Sequence, residues 1–233
     1  MDQLYNIKKD GFIIVKVMEE KQVVKYFKSL EKFVSHHQLS PTVGIIKTNG
    51  IGQAAFMWKL RNLRTVKRTF ATILNCKQKD LVTSMDGAFY SEPQASHIAL
   101  WPHRDQRPSN NNLETYQGVL SLTDSDGSFV YWPKTHTKKW NYSASEKDKD
   151  FFRLHDMKNS IHKSIRIPPG HLLIFDSRLI HCNQVPIKKT RAVAYICMID
   201  GRGKMTREIT ERRQYCMDNN KTTSHHPLNF TFM

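Results

Sequence analysis

The chain has 233 residues, 36 Lys and Arg against 21 Asp and Glu, and a formal net charge of +15. That length is ordinary for one β-rich domain and long enough to bury a core with no disulfide or metal staple. With no run of about 18 apolar residues, a polar start MDQLYNIKKD unlike a signal peptide, and four cysteines without a CxxC pair, the composition disfavours membrane, secreted disulfide-rich and fibrous classes. Cys76, Cys182, Cys197 and Cys216 read as reduced thiols of a soluble intracellular protein, cytoplasmic or nuclear.

Along the chain, residues 10–17 are a glycine followed by β-branched and apolar residues, which predicts a strand. Val23, Phe27, Leu30 and Val34 recur at helical spacing and predict an amphipathic helix over 20–34. Phe56, Leu60, Leu63, Val66, Phe70 and Leu74 extend the pattern as one helix over 53–75, with most of the basic cluster Lys59 to Arg68 on its solvated side. From residue 81 the texture changes to short strands, predicted at 81–86, 96–103, 117–123, 128–132, 163–167, 171–176 and 191–199. Asp124 to Gly127 and Pro168 to Gly170 are turn signals. Residues 138–160 are a long polar excursion of the kind that serves as a lid. A charged helix is expected from Lys204, then a mobile polar tail ending TSHHPLNFTFM.

The expected fold class is therefore mainly β with flanking helices, a closed or double-sheet antiparallel architecture in a single domain spanning 1–233. Residues 1–80 form helical support, 81–200 the β core, and 201–233 a C-terminal helix and tail. The denser basic stretches, 59–68, 134–139 and 202–213, match no nucleic-acid motif. The charge fits either a Lys-rich surface or an anionic partner: nucleic acid, nucleotide or another phosphorylated substrate.

Chemistry concentrates in two segments. In Ala99-Leu-Trp-Pro-His-Arg-Asp105, His103 and Asp105 are two apart, so on a strand they share a face. Taken alone, that is equally a surface pair near a turn. In Ile167-Pro-Pro-Gly-His-Leu-Leu-Ile-Phe-Asp-Ser-Arg-Leu-Ile-His181, an apolar strand climbs from a Pro-Gly turn and ends on a second histidine. Ten residues later Arg191 opens the apolar run Ala192 to Met198, expected to lie antiparallel nearby. Two His and one carboxylate with positions left open are the facial triad of non-haem Fe(II) oxygenases. A deeply placed guanidinium suits a bidentate pair with a dicarboxylate.

This order of motifs resembles the Fe(II)/2-oxoglutarate-dependent dioxygenases, and among them the phytanoyl-CoA dioxygenase-like family. The resemblance covers most of the chain: Asp10-Gly11-Phe12, WPHRDQRP with Gln106 after the Asp, Gln117-Gly118, the strand leading to Thr135-His136, PPGHLLIFDSRLIHCN and RAVAYICM. It implies a double-stranded β-helix, or jelly-roll, with Fe(II) on His103, Asp105 and His181. It also implies 2-oxoglutarate held by Arg191, with Gln117 and Asn183 beside it, and O2 as the second cosubstrate. The implied reaction is hydroxylation of an unidentified substrate with release of succinate and CO2. Asp105 sets the chain apart from related halogenases, which carry a small residue there. Cys197 stands where related nucleic-acid demethylases carry a second Arg.

Two other classes stay open: a catalytically silent jelly-roll that binds an anionic partner such as nucleic acid, and a zinc hydrolase or isomerase using the same three ligands. Neither needs Arg191. His97 shares His103's face under strict strand alternation and is a candidate support residue, as Trp101 is. His136, His155, His162 and His171 read as structural or exposed, the pair His225-His226 as either metal-seeking or part of a mobile tail, Trp58, Trp132 and Trp140 as packing residues, and Cys182 as a small buried residue. Ser84 and Asp86 are either turn residues or substrate contacts at the pocket border.

Overall fold

The computed structural model describes residues 3–106, 110–138, 146–147, 151–154, 157 and 160–230. In chain order its strands are β1 (Phe12–Lys16), β2 (Gly44–Ile46), β3 (Leu81–Thr83), β4 (Ala88–Ser91), β5 (His103–Arg104), β6 (Tyr116–Ser121) and β7 (Phe129–Tyr131). They continue as β8 (Glu146–Lys147), β9 (Phe152–Arg153), β10 (Lys163–Ile165), β11 (His171–Asp176), β12 (His181–Asn183) and β13 (Arg191–Asp200). The helices are α1 (Gln3–Asp10), α2 (Glu20–His36), α3 (Ala55–Arg61), α4 (Arg64–Leu74) and α5 (Arg207–Asp218).

Two antiparallel sheets form. The larger runs β1-β11-β6-β13-β4-β2, with β3 on the far end of β13; the smaller runs β10-β7-β12-β5-β9-β8. The central strands of the larger sheet are buried on both faces, so apolar residues occur at both parities and parity decides the side each one faces. Leu120, Leu172, Ile174, Ala194 and Ile196 pack with Leu30, Leu60, Val66 and Phe70 of the helical layer. Val119, Leu173, Phe175 and Val193 face the other way and meet Phe129 of the smaller sheet. Each such Leu or Phe contributes on the order of 1.5–3 kcal/mol by leaving water. The same inward parity carries Gln117 on β6 and Arg191, Tyr195 and Cys197 on β13 into the space between the sheets.

Several expectations change. The helix over 53–75 is two helices, α3 and α4, broken at Asn62 and Leu63, where the Asn62 side chain donates to the Trp58 carbonyl (2.9 Å). Lys59, Arg64 and Arg68 are exposed as expected, but Arg61 is fully buried and donates to the Gly52 and Asp86 carbonyls, both at 2.6 Å. Of the predicted strand 96–103 only His103 enters a sheet, with Arg104 after it as β5. Pro93 and Pro102 lack ladder donors, and the segment is tied sideways instead, by the Gln94 amide to the Pro186 carbonyl (2.9 Å) and by Gln184 Nε2 to the Ile98 carbonyl (3.3 Å). The run 171–181 is not one strand. It leaves the larger sheet after Asp176, turns through Leu179 N–H to the Asp176 carbonyl (2.8 Å), and re-enters the smaller sheet as β12. β13 does not lie beside β11; β6 separates them.

Strands β2 and β4 and helix α1 were not anticipated. Part of the tail beyond α5 packs onto the body: Thr222, Thr223 and Ser224 are buried. Of the excursion 138–160, β8 and β9 form a short ladder on β5; His155 and Trp140 lie outside the described residues. No described helix is long and apolar enough to cross a membrane.

Candidate metal and cosubstrate site

β5 and β12 are neighbours in the smaller sheet, with His103 and His181 directly opposite one another. Their rings lie 4.3 Å apart. Asp105 follows β5 in a bend, and one ligand atom from each of the three residues lies within 4.8 Å of the others. His103 Nε2 is 3.6 Å from Asp105 Oδ1, and His181 Nε2 is 3.4 Å from Asp105 Oδ2. Each imidazole places Nδ1 against the carbonyl two residues earlier, Trp101 O at 3.1 Å and Leu179 O at 3.0 Å. A carbonyl only accepts, so Nδ1 carries the proton and Nε2 turns its lone pair toward Asp105. Trp101 stacks on His103 (4.4 Å, 8°) and Phe129 on His181 (5.1 Å, 18°), which fixes both ring planes. Trp101 thus meets the expectation of a residue on the metal side.

Burial holds both histidines neutral. It lowers His181 to about 4, and lowers His103 well below the ordinary imidazole value with help from His181 beside it. Neutral imidazole is the form that binds metal. In the unfolded chain these groups take up protons near pH 6.5. As pH falls from there toward 4, the unfolded state holds more protons than the folded one, so the metal-free protein loses stability across that window. Thermal unfolding of chelated protein at pH 7.5, 6 and 5 checks this; a flat Tm would contradict the burial argument.

A cavity of about 410 Å3 opens on the three residues and is lined also by Gln117, Asn183 and Tyr195. Arg191 is 3% exposed. It donates to Asn183 Oδ1 and the Gln184 carbonyl, both at 2.9 Å, and its guanidinium lies 5.1 Å from the Phe89 ring centroid. Among the described residues no carboxylate pairs with it; burial lowers its pKa only to about 10, so it stays charged. Asn183 Nδ2 in turn donates to the Tyr195 hydroxyl (3.2 Å). Gln117 Nε2 is buried with no acceptor. A buried cation satisfied only by neutral oxygens, and an orphan amide donor, are groups that an oxygen-rich anion answers. The residues therefore fit both implied groups: a divalent metal on N, N and O donors, and a dicarboxylate.

The loop that delivers Arg191 is fastened by Asp126, whose carboxylate accepts the amides of Ile187, Lys188 and Lys189. Burial alone would raise this carboxyl, but the three amides together hold it at about 2. Asp126→Ala is expected to lower unfolding free energy by about 1–2 kcal/mol, seen as a lower urea midpoint at unchanged m-value.

The remaining candidates separate. His97 is exposed, bonds the Val185 carbonyl (3.1 Å) and lines a different cleft; without a strand at 96–102 the alternation that put it on His103's face does not operate. His136 is buried against the Lys8 carbonyl (3.0 Å) and holds α1; His171 bonds the Pro169 carbonyl; His162 is exposed near Trp132. Trp132 packs in the outer cluster of the smaller sheet. Trp58 lies between Arg61 and Arg213. The Cys182 thiol is pushed up to about 11 by burial and is inert. Ser84 accepts from the Cys197 amide (3.3 Å), whereas Asp86 lines the cavity, 3.7 Å from Lys47 Nζ. Lys47, Phe151, Tyr195 and His225 also line it and were missed. Only Tyr195 left a signal, its shared parity with Arg191. The basic residues Lys188, Lys189, Arg202, Arg207 and Arg212 do not line it; Arg202, Arg207 and Arg212 pair at the surface with acids two to four residues away, and Lys189 pairs with Asp124 of a neighbouring loop.

No protein-family model matches this sequence, and no curated protein matches it. Solved structures do. The epimerase SnoN, in complex with Fe3+, α-ketoglutarate and nogalamycin RO, superposes with a TM-score of 0.63 at 12% identity over 85% of this chain and 82% of that one. The non-haem α-ketoglutarate-dependent carbocyclase SnoK from nogalamycin biosynthesis gives 0.60 at 13% over 85% and 83%. EvdO2 from Micromonospora carbonacea var. aurantiaca, complexed with 2-oxoglutarate, gives 0.56 at 14% over 84% and 89%. Over most of its length the chain thus has the double-stranded β-helix fold of the phytanoyl-CoA dioxygenase-like non-haem iron and 2-oxoglutarate enzymes, and the resemblance legible in its motifs holds at the level of the fold.

Proposed function

We propose that the chain, as one domain over 1–233, is an Fe(II)- and 2-oxoglutarate-dependent dioxygenase that hydroxylates a small-molecule substrate, releasing succinate and CO2. The observation that carries this reading is the pairing of a two-His, one-carboxylate cluster with a buried guanidinium that has no counter-ion among the described residues. A metal site alone suits many chemistries; a metal site whose cavity wall, at Asn183, is backed by a buried cation suits a chelating dicarboxylate.

In this reading His103, Asp105 and His181 hold Fe(II), and their Nδ1–H bonds to the Trp101 and Leu179 carbonyls keep the ligand atoms aimed. Arg191, oriented by Asn183, pairs with the far carboxylate of 2-oxoglutarate, and Gln117 Nε2 donates to the same molecule. The loaded metal with O2 supplies the oxidising power for an unactivated C–H bond. The apolar walls Val119, Phe129 and Phe175 keep water from the site. Asp105 as third ligand favours hydroxylation over halogenation.

Solved proteins of this fold include an epimerase and a carbocyclase, so the product decides the reaction type. A 2-oxoglutarate turnover screen across metabolite, nucleotide and nucleic-acid pools, with mass spectrometry of consumed compounds, is the test. Hydroxylation adds one oxygen atom, epimerisation leaves mass unchanged, and ring closure removes two hydrogens. A product without added oxygen would overturn the hydroxylase assignment; stimulation by nucleic acid alone would overturn the small-molecule one.

A further inference from the structure

We propose that the C-terminal turn from Thr222 to Asn229 is a wall of the substrate end of the cavity, and that His225 on it is a specificity-determining residue. The inference rests on the oxygenase reading above and deepens it. The observations concern the tail itself.

The tail is fastened to the body immediately before His225. Thr222 Oγ1 accepts the Gly52 amide (3.0 Å), Thr223 Oγ1 accepts the Met85 amide (3.2 Å), and the Thr223 amide donates to the Met85 carbonyl (3.0 Å). Gln53 Nε2 donates to the Lys221 carbonyl (2.7 Å). The approach is close enough that a side chain at Gly52 would collide with the Met85 carbonyl and the Thr222 backbone. Met85 precedes Asp86, a cavity residue, so this anchor sits at the cavity's edge.

After His225 the tail is braced by its own turn, and Phe230 packs with Met85 and Cys216 of the body. Ser224 Oγ accepts the His226 amide (3.3 Å), and His226 Nδ1 accepts the Leu228 amide (3.2 Å). Thr223 and Ser224 are 1% and 0% exposed. His225 thus lies in a turn hydrogen-bonded to the body before it and packed on the body through Phe230 after it, and it lines the same cavity as the metal cluster, with Ile45, Thr48, Trp101 and Phe151. A solvated tail would not place two threonine hydroxyls in buried bonds to the 52 and 85 backbone. The matching substrate is a compact, largely apolar group offering one polar contact to the imidazole.

The experiment compares wild type with His225→Ala and His225→Phe, using as probe the compound that most stimulates succinate release by the wild type. The expected result is a rise of about tenfold or more in that compound's KM for His225→Ala, a reordered ranking of compounds for His225→Phe, and 2-oxoglutarate affinity within about twofold of wild type for both. With Zn(II) in place of Fe(II), the same compound should slow carbethoxylation of His225 by diethyl pyrocarbonate. Wild-type turnover with unchanged KM and ranking in both variants, or modification of His225 at the same rate with the compound bound, would overturn this inference and leave the oxygenase standing. Absence of succinate formation by the wild type would instead bring down the oxygenase reading itself.

Discussion

His181→Ala is expected to lower Fe(II) affinity on the order of 100-fold or more and to remove 2-oxoglutarate turnover. Losing a residue that merely orients a metal ligand typically costs about 10–100-fold, and this substitution deletes the ligand atom itself. His181 Nε2 sits 3.4 Å from Asp105 Oδ2, and its ring is clamped by Phe129 and Phe175, so no nearby side chain substitutes for it. Asp105→Ala should behave alike, because it leaves two neutral imidazoles and no charge to hold a divalent ion. The His181 variant carries a second signature. It removes one of the two buried imidazoles whose protonation opposes folding below pH 6.5, so its metal-free form should lose less stability between pH 6.5 and 4 than the wild type does. Iron titration by calorimetry and Tm against pH read the two effects separately. Wild-type iron affinity in either variant would mean that the ligand set is wrong.

Arg191→Ala should weaken 2-oxoglutarate binding by about 3 kcal/mol, roughly 150-fold, while iron affinity stays near wild type. The guanidinium is buried, charged and, among the described residues, hydrogen-bonded only to Asn183 Oδ1 and the Gln184 carbonyl, so a carboxylate entering beside it gains an ion pair in a dry environment. Arg191→Lys should recover little, since an ammonium cannot keep both existing bonds and also present a planar fork. The substitution leaves two acceptors without donors, which costs about 1–3 kcal/mol of stability; Tm measured alongside separates that loss from binding. Unchanged 2-oxoglutarate affinity in a folded Arg191→Ala protein would refute the assignment.

The site was legible where its chemistry is carried by residue type and short spacing. His103, Asp105, His181 and Arg191 stand out because their order matches a metal triad followed by a dicarboxylate clamp; in the structure the first three line one cavity, and Arg191 lies behind its wall, bonded to the lining residue Asn183. How they come together was not legible. The route depends on β11 ending at Asp176 and the chain crossing to the other sheet before His181, a change of sheet that no local pattern announces, since both segments are apolar. His97 failed for a related reason: alternation holds only on a strand, and the segment before His103 bonds sideways to 184–186 instead. Arg61 reads as one more surface charge in a basic helix, yet the break at Asn62 and its carbonyl partners bury it. Lys47 and His225 reach the cavity from segments 56 residues before and 122 residues after His103 (103 − 47; 225 − 103), a convergence created by tertiary packing alone.

The net charge of +15 also acquires a place. The cavity's charged lining is Lys47, Asp86 and Asp105, and Arg191 is spent inside the fold. Of the basic residues of 202–213, Arg202, Arg207 and Arg212 form surface pairs and Arg213 bonds the Thr83 carbonyl. The excess therefore describes the surface, and a substrate seated at the metal meets a mixed, mostly apolar wall.

The most direct test is anaerobic titration of the metal-free protein with Fe(II) and then 2-oxoglutarate, followed by admission of air. The expected result is a weak visible charge-transfer band that needs both additions, absent in His181→Ala and shifted to higher 2-oxoglutarate concentration in Arg191→Ala, with succinate formed once O2 enters. No band and no succinate, with Zn(II) bound in place of iron, would contradict it.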